Sequence, residues 1–125
     1  MARQFAQAEL KPGAEERDRE CKFPKNELAK MGELGFLGML VPESYGGIEA
    51  DIVSYASVIE EVAACDGASS TILSVHSSVG CCPIRDYGTD AQKQKYLPKL
   101  ASGEWIGGFA LTEPQAGSDL SLIHI

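Results

Sequence analysis

The run TEPQAGSD at 112–119 carries the residue types most suited to holding a ligand. Pro114 blocks regular strand pairing, and Gly117 can take backbone angles closed to other residues, so the chain must turn sharply there. A turn of this kind exposes backbone N–H groups. With the Thr112 and Ser118 hydroxyls beside them, those donors suit the oxygens of a phosphate or of a conjugated heterocycle. T-E-P and G-S-D are also ordinary turn chemistry, and from the residues alone both readings stand.

Other candidates for chemistry are weaker. Glu60 and Glu61 are adjacent in a helical pattern, so their side chains point about 100 degrees apart and cannot share one substrate atom; a solvated face is expected. His76 has no acid in its local sequence to orient it. Cys21, Cys65, Cys81 and Cys82 lack the C-x-x-C spacing of a metal or redox site, and the 81–82 pair would close only a strained ring. Buried, reduced thiols and no metal are expected.

The elements that position these residues follow from pattern. Trp105, Ile106, Phe109, Ala110 and Leu111 form a nearly continuous apolar run, which predicts a strand over 105–111 covered on both faces. Upstream the pattern is helical. Residues 1–20 read as a helix with Phe5, Ala8 and Ala2 on one side and a bend at Pro12. Leu28, Met31 and Leu34 form a second stripe, opened by Pro24 and ended by Gly35. VPESYGG then makes a tight loop. Asp51 is an N-cap for a helix whose stripe is Ile52, Tyr55, Ile59 and Val62. ASSTILSVHSSVG at 68–80 is small, hydroxyl-rich and free of charge, as in a helix packed on several sides. Thr89 and Gln92 form a capping box for a last helix that Gly103 closes, with a change of course expected at Pro98. Lys93, Lys95 and Lys99 are its wet face.

Composition sets the outer bounds. The chain has 125 residues, 44% hydrophobic and 23% charged, enough for one globular domain. Its net charge of −7, with bases scattered among acids, offers no stripe for a nucleic-acid backbone. The longest apolar run, GFLGMLV at 35–41, is far short of a membrane span, and the N-terminus lacks an apolar signal core. A soluble, intracellular protein is expected.

EWIGGFALTEPQAGSD at 104–119, LVPESYGG at 40–47 and YGTDAQKQKYLPKLASGEW at 87–105 together resemble segments of the acyl-CoA dehydrogenase family, in the same order and at similar separations. The likeness runs from Phe5 to Asp119. It implies a mainly α fold: an N-terminal helical bundle domain over 1–103, then the first strand of a truncated β-domain over 104–119 with its flavin-binding motif. LSLIHI at 120–125 departs from the family. It matches, codon by codon, a transposase-end sequencing adapter (CTG TCT CTT ATA CAC ATC) and is set aside from fold reasoning. Met1 falls where family members are already in mid-helix, and reads as an internal methionine.

The resemblance also implies function. Family members are FAD enzymes that convert an acyl-CoA to an enoyl-CoA: a glutamate removes the proton alpha to the thioester carbonyl while the beta carbon passes hydride to the flavin. The alpha proton is too weakly acidic for a carboxylate unless donors stabilise the developing enolate. By the matched motif, Phe109, Leu111 and Thr112 border the flavin ring, and Ser118 approaches the cofactor phosphates and the CoA portion of substrate. Glu113 and Asp119 fix the loop. Thr71, Ile72, Val75 and Val79 are acyl-pocket candidates, with plain core packing as the competing reading. The family's base lies on a later helix, so no catalytic residue is assigned here, the chain alone is expected to be inactive, and His76 falls to packing or a local hydrogen bond. ILSVHSS is most similar to the short-chain, butyryl-CoA branch. Electron-transfer flavoprotein as acceptor, a homo-oligomeric parent (tetramer or dimer), and a cytoplasmic or mitochondrial-matrix location are implied too. A flavin monooxygenase, an acyl-CoA oxidase and a helical interaction module are the alternatives.

Overall fold

Two prolines shape the two long helical runs. The computed structural model describes residues 1–121, and the first run joins α1 (Ala2–Phe5), a π-helical stretch (Ala6–Leu10) and α2 (Lys11–Arg19). Pro12 has no N–H, and its ring crowds the carbonyl four residues back. The turn before it widens instead of breaking: the Lys11 N–H donates to the Ala6 carbonyl, five residues back. The extra residue shifts the buried face. Phe5, Ala6 and Leu10 are buried, whereas Ala8, expected on that face, is exposed.

The next helix, α3 (Lys25–Glu33), buries Leu28 and Met31 and ends on Gly35, whose φ of 79° is the left-handed stop. A short 3-10 turn (Phe36–Gly38) and the VPESYGG loop lead to α4 (Ile52–Ala63). Asp51 caps α4, accepting from the Val53 and Ser54 N–H groups. The inward stripe of α4 starts at Tyr55 and ends at Val62. Ile52, expected to share it, sits in the overhanging first turn at 65% exposure.

The second long run joins α5 (Gly67–Val75), a π-helical stretch (His76–Cys81) and α6 (Cys82–Tyr87). Pro83 repeats the effect of Pro12, with the Cys82 N–H donating five residues back to the Ser77 carbonyl. In an α-helix residues i and i+5 diverge; the wider turn brings His76 and Cys81 to the same inner face, their Nε2 and Sγ 3.5 Å apart. Helix α7 (Asp90–Ala101) opens on the Thr89–Gln92 capping box and runs unbroken through Pro98, against the expected change of course. The acceptor that Pro98 leaves without an N–H is the carbonyl of exposed Gln94, which water can satisfy.

Two apolar clusters hold these elements. One gathers Phe5, Leu10, Leu28, Met31, Phe36, Leu37, Val62 and Leu73, with the Phe5 and Phe36 rings edge to face at 5.8 Å. The other gathers Val41, Cys81, Leu97, Leu100 and Ala101. The end of α7 lies so close to α3 that a Cβ on Gly32 would strike the Ser102 carbonyl. Arg17 ties three elements together: its guanidinium donates to Asp66 (2.7 and 3.2 Å), to Glu27 (2.9 Å) and to the Leu10 carbonyl (2.5 Å).

The chain is therefore mainly helical, as expected, but the strand expected over 105–111 is not formed among the described residues. That stretch joins no ladder, and the one β-bridge among the described residues pairs Glu113 with Ala116. A continuous apolar run marks a strand only where partner strands cover it, and the described residues supply none. Cys21 also departs from expectation: it is exposed, with φ 52°, while Cys81 alone of the four is buried. Of the adapter-like 120–125, residues 122–125 lie outside the described residues.

Candidate functional site

A cavity of about 420 Å³ opens between helix α5 and the segment that follows α7. It is lined by Phe23, Thr71, Ile72, Val75, Ile106, Gly107 and Gly108. Three of the four acyl-pocket candidates, Thr71, Ile72 and Val75, thus meet at one space; Val79, one turn on, is half-buried and does not line it. The Thr71 hydroxyl is bonded back to the Gly67 carbonyl at 3.0 Å, so it lends the cavity little polarity. Phe23 and the stretch Ile106–Gly108 complete the lining and were not singled out as pocket residues in the sequence, because each comes from a segment remote from α5.

The turn beyond the cavity is tight. Glu113 and Ala116 exchange two backbone hydrogen bonds, 2.7 and 3.1 Å, around Pro114 and Gln115, and Ala116 is buried beneath them. Phe109 is 56% exposed, with Leu111, Thr112 and Ser118 exposed nearby. Among the described residues no protein group bonds to the Thr112 or Ser118 hydroxyl. The site therefore presents apolar surface and unengaged hydroxyls along one edge, a combination that suits a flat ring with polar substituents.

His76 lies behind the cavity, fully buried. Its Nδ1 accepts the Gly107 N–H at 2.9 Å, which places the ring proton on Nε2. Burial drives its pKa below the ordinary histidine value, with the Leu100 and Leu37 carbonyls opposing, so the ring is neutral. The Cys81 thiol beside it is pushed up to about 12 by burial first and by neighbouring Cys82 second, which makes it a poor nucleophile. The acids offer no alternative base here. Glu61 pairs with Arg3 at 2.6 Å and Glu60 is exposed, both away from the cavity. Among the described residues no cluster of His, Cys, Asp or Glu could hold a metal ion, and no helix is long and apolar enough to cross a membrane.

A helical wall, an apolar cavity and an exposed turn carrying two hydroxyls thus lie next to one another along the chain. The model of the acyl-CoA dehydrogenase N-terminal domain matches residues 1–104, and the chain belongs to that family. It is 50% identical over 119 residues to an acyl-CoA dehydrogenase of Bacillus subtilis (strain 168), a match covering 95% of this chain and 31% of that one. It is also similar to solved structures. Butyryl-CoA dehydrogenase from Megasphaera elsdenii superposes with a TM-score of 0.89 at 37% identity, covering 96% of this chain and 32% of that one. For acyl-CoA dehydrogenase complexed with FAD from Bacillus anthracis the TM-score is 0.87 at 39% identity, covering 95% and 21%. The chain spans 31% of the length of its Bacillus subtilis relative.

Proposed function

We propose that this chain forms the helical wall of a flavin-dependent acyl-CoA dehydrogenase that acts on short acyl chains. The observation that carries the reading is the shared cavity: the same space is bounded by Thr71, Ile72 and Val75 of the acyl-side helix and by Ile106–Gly108, which lead directly into the exposed Phe109–Ser118 turn. Phe109 and Leu111 offer the apolar face, and Thr112 and Ser118 the donors, that FAD requires of one wall. When bound, the flavin supplies the two-electron acceptor. The chain's own contribution is to exclude water from the acyl end, to limit its length with Ile72 and Val75, and to direct hydroxyls at polar cofactor and CoA atoms.

The substrate class is an acyl-CoA thioester of about butyryl size, supported by the bulk of Ile72 in the cavity wall and by the likeness to a butyryl-CoA enzyme. The base is a carboxylate supplied from beyond these 125 residues, and electrons pass on to electron-transfer flavoprotein from a homo-oligomeric enzyme, in the cytoplasm or the mitochondrial matrix. The 125-residue chain by itself neither retains flavin nor turns over butyryl-CoA.

The test uses the full-length protein, measuring bound flavin by absorbance and thioester-dependent dye reduction. Higher kcat/KM on C8 than on C4 thioesters would overturn the short-chain assignment. Replacing Thr112 and Ser118 together by alanine should weaken flavin binding, because each buried acceptor left without its donor costs ~1–3 kcal/mol. Wild-type flavin affinity in that double variant would reduce both residues to turn formers.

A further inference from the structure

We propose that His76 is a positioning residue that fixes the floor of the acyl cavity, its Nδ1 holding the Gly107 N–H so that Ile106–Gly108 stay pressed against the helical wall. The inference rests on the reading of that cavity as the acyl site. Among the described residues, the backbone from 106 to 112 makes one hydrogen bond, and it is this one, 2.9 Å long. Before it, the Trp105 N–H is tied to the Lys99 carbonyl at 3.0 Å; after it, the next tether is the Glu113–Ala116 bridge. The floor of the cavity therefore hangs from a single side chain.

The surroundings are shaped for that contact. Gly107 lies flat on the π-helical stretch: a Cβ added to it would come 3.3 Å from the Gly80 Cα and 3.6 Å from His76 Nδ1. Two glycines thus set how closely the backbones approach, and the imidazole sets where along the helix they meet. The widened turn before Pro83 is what aims His76 inward beside Cys81, with Nε2 at 3.5 Å from the thiol. A neutral ring protonated on Nε2 is the one form that can accept at Nδ1, and burial favours that form. A histidine serving only as filler would not need its free lone pair aimed at a backbone donor 31 residues away.

The contact bears on which acyl chains fit. Without the Nδ1 contact the floor can retreat from Thr71, Ile72 and Val75, and the cavity lengthens. In the full-length flavin-loaded protein, His76→Phe keeps a ring but loses the acceptor. It should lower the ratio of kcat/KM on butyryl-CoA to kcat/KM on octanoyl-CoA by roughly tenfold or more, the discrimination one buried methylene can carry. His76→Asn, whose side-chain oxygen can stand where Nδ1 stood, should keep that ratio within about threefold of wild type by the same measure. Gly107→Ala provides a second route to the same floor without replacing His76, and should shift the ratio in the same direction as His76→Phe.

A readout independent of activity is the through-hydrogen-bond nitrogen coupling between His76 Nδ1 and the Gly107 N–H, recorded by NMR on the 15N-labelled 125-residue chain carrying Phe109→Ser, a change that spares this contact and removes an exposed ring that favours association. Its presence supports the contact, and a protonated Nδ1 overturns it. An unchanged ratio in folded His76→Phe or Gly107→Ala overturns the positioning role. Should the wild-type protein prove to have no dehydrogenase activity, the functional reading fails while the coupling still reports on the bond, so the two failures are distinct.

Discussion

The helical bundle and the segment that follows it use similar residues in opposite ways. In the bundle, Leu10, Met31, Leu37 and Leu73 are fully covered, and Arg17, itself 12% exposed, finds two carboxylates and a carbonyl. In the segment after α7, Trp105, Ile106, Phe109 and Leu111 are left exposed. The contrast is one of covering surface rather than of hydrophobicity. Helices satisfy their own backbone and need only one another's apolar stripes, whereas an extended apolar run needs hydrogen-bonding partners on its edges and cover on its faces.

The largest expected effect breaks the covered side of this contrast. Burial alone would push the Asp66 carboxyl up, but its bonds to Arg17, then to the Ser69 N–H and hydroxyl, hold it below the ordinary aspartate value. Arg17→Ala leaves that carboxylate enclosed without its cation, and losing one partner of a buried pair costs about 3–5 kcal/mol. Set against a typical domain stability of about 5–15 kcal/mol, this should take most of the margin. Urea titration followed by helical circular dichroism measures it, and a loss under about 1 kcal/mol would show the clamp to be ornamental by that standard. The sign of the pH dependence follows from the depressed folded pKa. The contribution is whole above the unfolded aspartate value of about 3.9 and fades as pH falls through the lower folded value, so wild type should show an acid limb there that Arg17→Ala lacks.

What could be read from sequence divides along the same line. Leu28 and Met31 on α3, the Asp51 and Thr89 caps and the stop at Gly35 are local features, set by residues within a turn of one another, and they are where the pattern puts them. Ala8 and Leu10 were not legible, since an extra residue in a widened turn moves every later side chain round the helix while leaving the apolar count unchanged. The same shift hides the pairing of His76 with Cys81. In the site, composition marks 68–80 only as a charge-free packed helix, and Thr71, Ile72 and Val75 stand out as pocket candidates through the family resemblance. Phe23 and Gly107 do not, because the cavity joins segments remote in sequence, and no local pattern announces that a histidine will accept from a glycine N–H 31 residues on.

A smaller effect sharpens the contrast between a hydroxyl that folds the chain and one that does not. The Thr89 side chain accepts from the Gln92 N–H at 3.3 Å, and the Gln92 side chain accepts from the Thr89 N–H at 2.8 Å. Thr89→Ala should cost the isolated chain about 1 kcal/mol, the usual value of an N-cap. Ser118→Ala, at an exposed hydroxyl of the trailing turn, should change its stability by no more than about 0.5 kcal/mol. Chemical denaturation of the two variants side by side decides this. Equal losses would mean that the turn is folded into the bundle as tightly as the cap.

The smallest change in folding stability is expected where the apolar surface is most exposed in the trailing segment. Phe109 is 56% exposed and belongs to neither apolar cluster, so Phe109→Ser removes no covered surface and should leave the chain's denaturation midpoint within about 0.5 kcal/mol of wild type. Its effect should appear elsewhere. An exposed phenylalanine beside Leu111, on a stretch whose backbone makes no hydrogen bond from 108 to 112 among the described residues, is a template for association between chains. The serine variant should therefore remain monomeric at concentrations where the wild-type chain scatters light. In the full-length protein the same change should weaken flavin binding, because the proposed apolar face for the ring is lost. A large fall in the isolated chain's stability would instead place Phe109 in the bundle core, and would erase the distinction between the surface that folds this chain and the surface proposed to meet the cofactor.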